Sequence, residues 1–386
     1  MAGRIERRIG PVLGSSLRYA VVPIGSLAVS WWVVHQGSMQ LWSAVVAPLV
    51  LVQLAVHLSQ WGQRDLLLRI LRSGHVDGAA CWRENGWSRA LVALPLVVLP
   101  ALITGLSLPW MLLWAASASV AGSFEPLIVR DKRFMPALLA DVAGLLAQFA
   151  VLVLADALDT TVVVRSFAVH NAVRCAGLWW ASGCPRPWPP VIDLHLHLGK
   201  AVPFVLIGLG GLLATRIDVY AVTALGDGDL VGRYQVVAAL FVQFQVIPGL
   251  LARPFTTGLL RLDPTTLARA SDRAMRWGLL LALPQAWVAG LVLAHFFHVD
   301  VGWPVLLAGA LSVVPAYGYV PLFPVLYSLH REQWVVVLSF GAAACIALGA
   351  WSLVPRWGIA GGLAASALGQ WVQWAGVRLL VERFRK

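Results

Sequence analysis

Apolar residues fall in runs long enough to cross a bilayer as helices, separated by short polar segments rich in Arg, Gly and Pro. The runs lack the strict alternation of an outer-membrane barrel strand. A spanning helix takes about 20 apolar residues. On that measure the pattern predicts twelve helices, near residues 11–35, 39–60, 87–105, 107–126, 134–157, 160–182, 199–224, 229–252, 277–297, 302–328, 332–354 and 357–380. The sixth is the weakest by pattern, because Arg165, His170, Asn171 and Arg174 lie inside it.

Loop charge decides for the sixth span. With twelve spans and both termini cytoplasmic, the inside segments hold Arg4, Arg7 and Arg8, then Arg64 to Arg89, Arg130 to Arg133, Arg186, Lys200, Arg331 and the basic tail. The outside segments hold almost nothing beyond Arg233 and Arg356. Removing the sixth span would turn the 253–276 loop, with Arg253, Arg261, Arg269, Arg273 and Arg276, to the outside, against the bias of basic residues toward the cytoplasm. Two amphipathic stretches in the longest inside loops, 61–72 and 254–276, are expected to lie at the interface with their arginines toward lipid headgroups.

Composition agrees. The chain is 59% hydrophobic and only 12% charged, whereas a soluble domain is about a quarter charged. The net charge of +11 sits in loops as a topology signal, so no nucleic-acid partner is implied. Cys81, Cys175, Cys184 and Cys345 show no disulfide or metal-ligand spacing. The first run has no small-residue cleavage site and reads as a retained span. "LLLRILR" at 66–72 and "TTGLLRL" at 256–262, and the two "ALP" motifs at 93–95 and 282–284, share nearly one offset. They suggest two parallel six-helix repeats around a central cavity. The expected domains are an N-terminal bundle (1–183), a Pro- and Trp-rich cytoplasmic linker (184–198) and a C-terminal bundle (199–386).

Soluble-enzyme motifs are absent. "GLGG" at 208–211 lacks the third glycine of a dinucleotide fingerprint, and Leu194 stands where the phosphate loop ending in "LGK" needs its first glycine. No nucleotide, cofactor or catalytic residue is therefore expected. "DLHLH" at 193–197 has no carboxylate partner at helical spacing and reads as an interfacial polar segment, not a metal site.

The informative residues are ionisable groups at membrane depth, where an uncompensated charge costs several kcal/mol or about that. Arg18 lies on the cytoplasmic side of the first span. Ser166, His170 and Arg174 follow at i, i+4 and i+8 and share one face of the sixth, with Arg165 near the outer surface. Arg216 and Asp218 sit in the outer third of the seventh, and Asp141 inside the fifth. Arginines outnumber acids in this set, which predicts a net positive cavity suited to an anion such as phosphate.

Three segments carry a family resemblance. They are "ATRIDVYAVTALGDGDLVGRYQVVAALFVQFQVIPGLLARPF" (214–255), "VPRWGIAGGLAASALGQ" (354–370) and the first turn with the second span, 36–72. Together they resemble Wzx-type polysaccharide flippases of the multidrug/oligosaccharidyl-lipid/polysaccharide exporter (MOP) superfamily. The resemblance implies an all-α integral membrane fold that moves an undecaprenyl-diphosphate-linked oligosaccharide from the cytoplasmic to the periplasmic leaflet of the bacterial inner membrane, with no enzymatic step. Arg18, Arg165, His170, Arg174 and Arg216 would then hold the cargo, and Asp218 or Asp141 a coupling proton or sodium ion. Bilayer lipids, a polysaccharide polymerase and glycosyltransferases are the implied partners. Two alternatives stay open at this point: a multidrug or organic-cation exporter of the same superfamily, and an integral-membrane glycosyltransferase or polymerase.

Overall fold

The computed structural model describes residues 2–62, 66–67, 70, 77–186, 188, 194–252, 264–323, 326 and 331–383. These form twelve helical segments and, among the described residues, no strand. They are α1 (Ala2–Gln36), α2 (Met39–Gln60), α3 (Gly78–Thr104), α4 (Leu108–Ser123), α5 (Glu125–Asp131) and α6 (Phe134–Val153). Then follow α7 (Thr160–Ala181), α8 (Leu194–Leu225), α9 (Gly228–Ala252), α10 (Pro264–Phe296), α11 (Trp303–Tyr319) and α12 (Glu332–Arg383). Seven described helical stretches are long and apolar enough to cross a membrane. The chain is a multi-pass helical membrane protein.

The helix ends follow from capping chemistry. Ser38 accepts from the Leu41 amide at 3.0 Å, Asp77 from Ala79 at 3.0 Å and Asp159 from Val162 at 2.7 Å, each satisfying a first-turn donor that the helix itself leaves open. Gly105 closes α3 with φ 65°, a conformation that costs glycine nothing. α12 is two helices: Gly358 breaks it with φ 53° and ψ −125°. The halves fold back on each other, since side chains added at Gly369 and Gly376 would meet Ile346 and Leu338 of the first half. Gly358 was expected to lie within a final span; it makes the turn into it instead.

Two compact units divide the chain, residues 1–208 and 209–386. In the first, α2 packs on α3 and α4, α4 on α7, α1 on α6, and α6 on α7. In the second, α9 packs on α10 and α11, and α11 on α12. The sequence of neighbours α2–α3–α4–α7 is thus repeated by α9–α10–α11–α12.

Two expectations need correction. Leu67 is buried in a core with Cys81, Trp82, Phe124 and Ile128, so this part of the 61–72 stretch packs inward instead of lying on lipid. Arg64, Arg69 and Arg72 lie outside the described residues. In the 254–276 stretch, residues 264–276 are the first turns of α10, continuous with the span because nothing breaks the helix before Pro284. Residues 253–263 and Asp193 of "DLHLH" lie outside the described residues.

Candidate functional site

Charge gathers inside the first unit. Arg18 of α1 is 4% exposed and Asp141 of α6 is 1% exposed, values that would be untenable for unpaired charges. They are paired. Arg18 Nε donates to one oxygen of Asp141 at 2.8 Å, and Arg174 Nε of α7 donates to the other at 2.6 Å. A second carboxylate closes the set: Arg18 Nη2 lies 2.8 Å from Glu125 Oε2. Each Asp141 oxygen therefore takes a different guanidinium, and Arg18 bridges two carboxylates.

The local fold explains why these side chains meet. α4 ends at Phe124, and the short α5 begins at once with Glu125, which turns this carboxylate back toward α1. Trp82 Nε1 donates to Ser123 Oγ at 3.0 Å and stacks on Phe124, anchoring α3 to the same junction. Between α6 and α7 the approach is close. A side chain on Gly144 would come within 2.9 Å of the His170 carbonyl, and one on Gly177 within 2.6 Å of the Ala140 side chain. Small residues that let helix backbones touch are how spanning helices pack when lipid is as apolar as their side chains.

The cluster borders a cavity of about 400 Å³ lined by Arg18, Glu125, Asp141 and Arg174, with Val22 and Pro23 of α1, Val56 and Gln60 of α2, and Ala118, Ala121 and Gly122 of α4. Two sets of guanidinium donors at this cluster have no carboxylate partner. Arg18 Nη1 is buried without a hydrogen-bond partner. Arg174, at 24% exposure, makes its only hydrogen bond among the described residues through Nε, which leaves its terminal nitrogens free of a carboxylate. Guanidinium forks of this kind match the oxygens of a phosphate.

The sequence-predicted residues divide accordingly. Arg18, Asp141 and Arg174 come together. Gln60, from the polar face that Gln53, His57 and Gln60 form on the second span, lines the same cavity, and Glu125 joins from a position the sequence pattern did not mark. His170 is buried against Gly144 in the α6–α7 seam and does not line the cavity. Ser166, on the same stripe, donates to its own helix at the Val163 carbonyl, 2.7 Å away. Arg165 is half-buried and makes no ion pair or hydrogen bond among the described residues. The expected excess of positive charge is absent from this cavity, because Glu125 and Asp141 match the two arginines.

In the second unit, Asp218 of α8 is buried and accepts from Tyr234 Oη of α9 at 2.6 Å and from the Val219 amide at 2.8 Å. Arg216, two residues away, makes no direct ion pair with it among the described residues, as expected of positions i and i+2, but stays within electrostatic reach of Asp218 and Tyr234. That arginine is the charge within reach of Asp218, and the other buried polar side chains of the unit are uncharged. Tyr319 donates to Gln370 at 2.9 Å, whose amide donates to the Ala214 carbonyl at 3.1 Å, and Gln285 donates to Tyr317 at 3.1 Å.

Two helical units with ionisable residues among their helices define a class, the polytopic helical membrane protein. Comparison with known proteins makes it specific. No family model matches the chain. In sequence it is similar to the protein named "Probable multidrug resistance protein NorM" of Mesorhizobium japonicum, 28% identical over 226 residues, which are 50% of this chain and 46% of that protein. The chain thus spans about half the length of the curated relative it matches. In structure it is similar to the lipid II flippase MurJ in an inward closed conformation, with a TM-score of 0.74 at 13% identity, covering 96% of this chain and 87% of the other. It is also similar to an inward-facing multidrug resistance MATE family transporter of the MOP superfamily, with a TM-score of 0.67 at 14% identity, covering 96% and 97%. The eukaryotic MATE transporter AtDTX14 matches with a TM-score of 0.61 at 13% identity, covering 98% and 95%. At these identities the likeness is one of fold: the chain has the fold of MOP-superfamily transporters.

Proposed function

We propose that the protein is a flippase that moves an undecaprenyl-diphosphate-linked oligosaccharide across the bacterial inner membrane by alternating access, for surface polysaccharide synthesis. One observation supports the reading: Arg18 and Arg174 border one cavity, and the terminal nitrogens of Arg174 face no carboxylate. A diphosphate offers the acceptors those donors lack, and its polyprenyl chain would remain in lipid. Arg165 and Arg216 would contact cargo elsewhere on its path, and His170 would steady the seam that positions Arg174. Asp141 or Asp218 would take the coupling proton or sodium ion. Both termini would be cytoplasmic, so a cysteine replacing Gly37 should react with a membrane-impermeant thiol reagent from outside intact cells. Polymerase and glycosyltransferase partners would make and consume the cargo.

A second reading, a multidrug exporter, is favoured by the NorM similarity. Such a protein would take an organic cation on a carboxylate, and here both cavity carboxylates already face arginines. Proteoliposomes separate the two. With fluorescent undecaprenyl-diphosphate oligosaccharide, Arg174→Ala should slow flipping at least tenfold, and Arg174→Lys, which keeps charge but loses the fork, should retain part of the rate. Flipping at the full rate in Arg174→Ala, or ethidium efflux that disappears in Asp141→Asn, would reject the flippase reading in favour of cation export.

A further inference from the structure

The opening turns of α10 carry three arginines that the cavity of the first unit does not use. Arg269, Arg273 and Arg276 recur at i, i+4 and i+7, which puts them on one face of the helix. All three are exposed. The same face runs on through Leu280, Leu283 and Trp287, exposed in their turn, with Trp277 at its edge where basic gives way to apolar. From Trp277 to its end at Phe296 the helix rises about 30 Å, the thickness of a bilayer's hydrocarbon core. With that stretch across the membrane, Arg273 and Arg276 stand within about 6 Å of the core's edge, in the headgroup layer where phosphates lie.

The opposite face of these turns is fixed in place. Leu267, Ser271 and Met275 are buried, and Ser271 Oγ donates to the Gly318 carbonyl of α11 at 2.6 Å. Arg378 of α12 donates to both oxygens of Asp272, at 2.6 and 3.3 Å, and its Nε donates to Glu382 at 2.6 Å. Asp272 and Glu382 thus both serve Arg378. Arg273 and Arg276 make no ion pair or hydrogen bond among the described residues, and Arg269 reaches only Thr266 Oγ1 of its own helix at 3.3 Å. Cations three and four positions apart on a helix repel. The fold gives Arg378 two carboxylates and gives these three arginines none among the described residues, while holding them rigidly outward.

We propose that this face binds an anionic glycerophospholipid, with its phosphate between Arg273 and Arg276 and its acyl chains along Leu280, Leu283 and Trp287. Residues three apart on a helix have Cβ atoms about 5–6 Å apart, so two guanidinium forks converge on the oxygens of one phosphodiester. Arg269, a turn farther from the core, adds attraction for acidic headgroups. A free phosphate would satisfy the arginines and leave the apolar part of the face bare. A phospholipid matches both parts in the order in which the helix presents them. The site involves neither Arg18 nor Arg174, and it stands whether or not the protein flips a lipid-linked oligosaccharide.

The test follows thermal unfolding of the full chain in neutral detergent as phosphatidylglycerol, phosphatidylcholine, farnesyl diphosphate or inorganic phosphate is added. A ligand of the folded state raises the midpoint with its concentration. Phosphatidylglycerol should stabilise the wild type at concentrations where phosphatidylcholine and inorganic phosphate do nothing. Replacing Arg273→Gln and Arg276→Gln together should raise the phosphatidylglycerol concentration required about thirtyfold, roughly fivefold for each cation removed. Arg273→Lys with Arg276→Lys keeps the charge, loses the forks and should fall between. Arg356→Gln, at an exposed arginine on α12, should leave the response unchanged. The wild-type titrations decide the occupant even if a variant fails to fold. Equal responses to phosphatidylglycerol and phosphatidylcholine, or a preference that the double Gln variant retains, overturn the proposal. So does inorganic phosphate that stabilises as well as phosphatidylglycerol. Tighter binding of farnesyl diphosphate, lost in the same variant, gives the face to a prenyl diphosphate and overturns the phospholipid assignment.

Discussion

The interiors of the two units solve the same problem by different chemistry. Both must place polar groups among spanning helices, where an unsatisfied group is expensive. The first uses charge, four ionised side chains whose signs cancel. The second relies more on hydroxyls and amides, the Tyr319–Gln370–Ala214 chain and the Gln285–Tyr317 pair; its charges are Asp218, held by Tyr234 with Arg216 in reach, and the more exposed Arg378–Asp272 pair. Neutral networks cost less to bury and change little when an ion approaches. A balanced set of charges is costly to assemble and responds strongly to any added charge.

That contrast can be broken by mutation. Asp141→Ala strips Arg18 of its most buried partner and leaves Arg174 without any, and losing one side of a buried ion pair costs about 3–5 kcal/mol. Tyr234→Phe removes one donor from Asp218, an effect of about 1–3 kcal/mol. Thermal unfolding of both variants in one detergent should rank them in that order. Equal losses would mean that the charged cluster is no more demanding than the neutral one.

A smaller effect sharpens the same point at the level of backbone packing. Gly144→Ala places a methyl 2.9 Å from the His170 carbonyl, which cannot yield as a side-chain tip can. Overpacking of this sort costs about 1–3 kcal/mol. Gly211→Ala in α8 meets nothing within 4 Å. It should be neutral or slightly stabilising, since alanine is the better helix former by about 1 kcal/mol. Destabilisation by Gly211→Ala as large as by Gly144→Ala would show that the seam is not specially tight.

Most of the fold was legible in the sequence, because hydropathy, loop charge and capping residues all act locally. The α2 boundaries and the Asp159 cap of α7 follow from them directly. Arg18, Asp141 and Arg174 were also legible as charges at depth. Their union was not: Arg18 and Asp141 are 123 positions apart, and no local pattern joins them. A balance of charge would have pointed that way, since Arg18 and Arg174, deep in the first and sixth spans, need acids and Asp141 is one of few within reach. Glu125 was missed because it stands at the end of an apolar run, where an acid ordinarily meets water; only the sharp passage from α4 to α5 aims it inward. Arg216 and Asp218, two positions apart on α8, are not turned toward each other by helix geometry and form no direct ion pair among the described residues, yet they remain within electrostatic reach.

The glycine seam between α6 and α7 also has a mechanical meaning. With Gly144 against the His170 backbone and Gly177 against Ala140, the two helices have no slack and travel as one body, carrying Asp141 and Arg174 with them. α1 meets α6 there through a side chain instead of backbone: Gly25 faces Leu145, whose Cδ atoms would lie 2.5 Å from an added methyl and can turn aside where a backbone cannot. If the unit rearranges during a transport cycle, the link that opens is Arg18–Asp141 and not Arg174–Asp141, so the first helix acts as the release lever and the α6–α7 pair as its fixed jaw. A disulfide joining Gly25→Cys to Leu145→Cys should then halt cycling, whereas one joining Ala140→Cys to Gly177→Cys should leave it running.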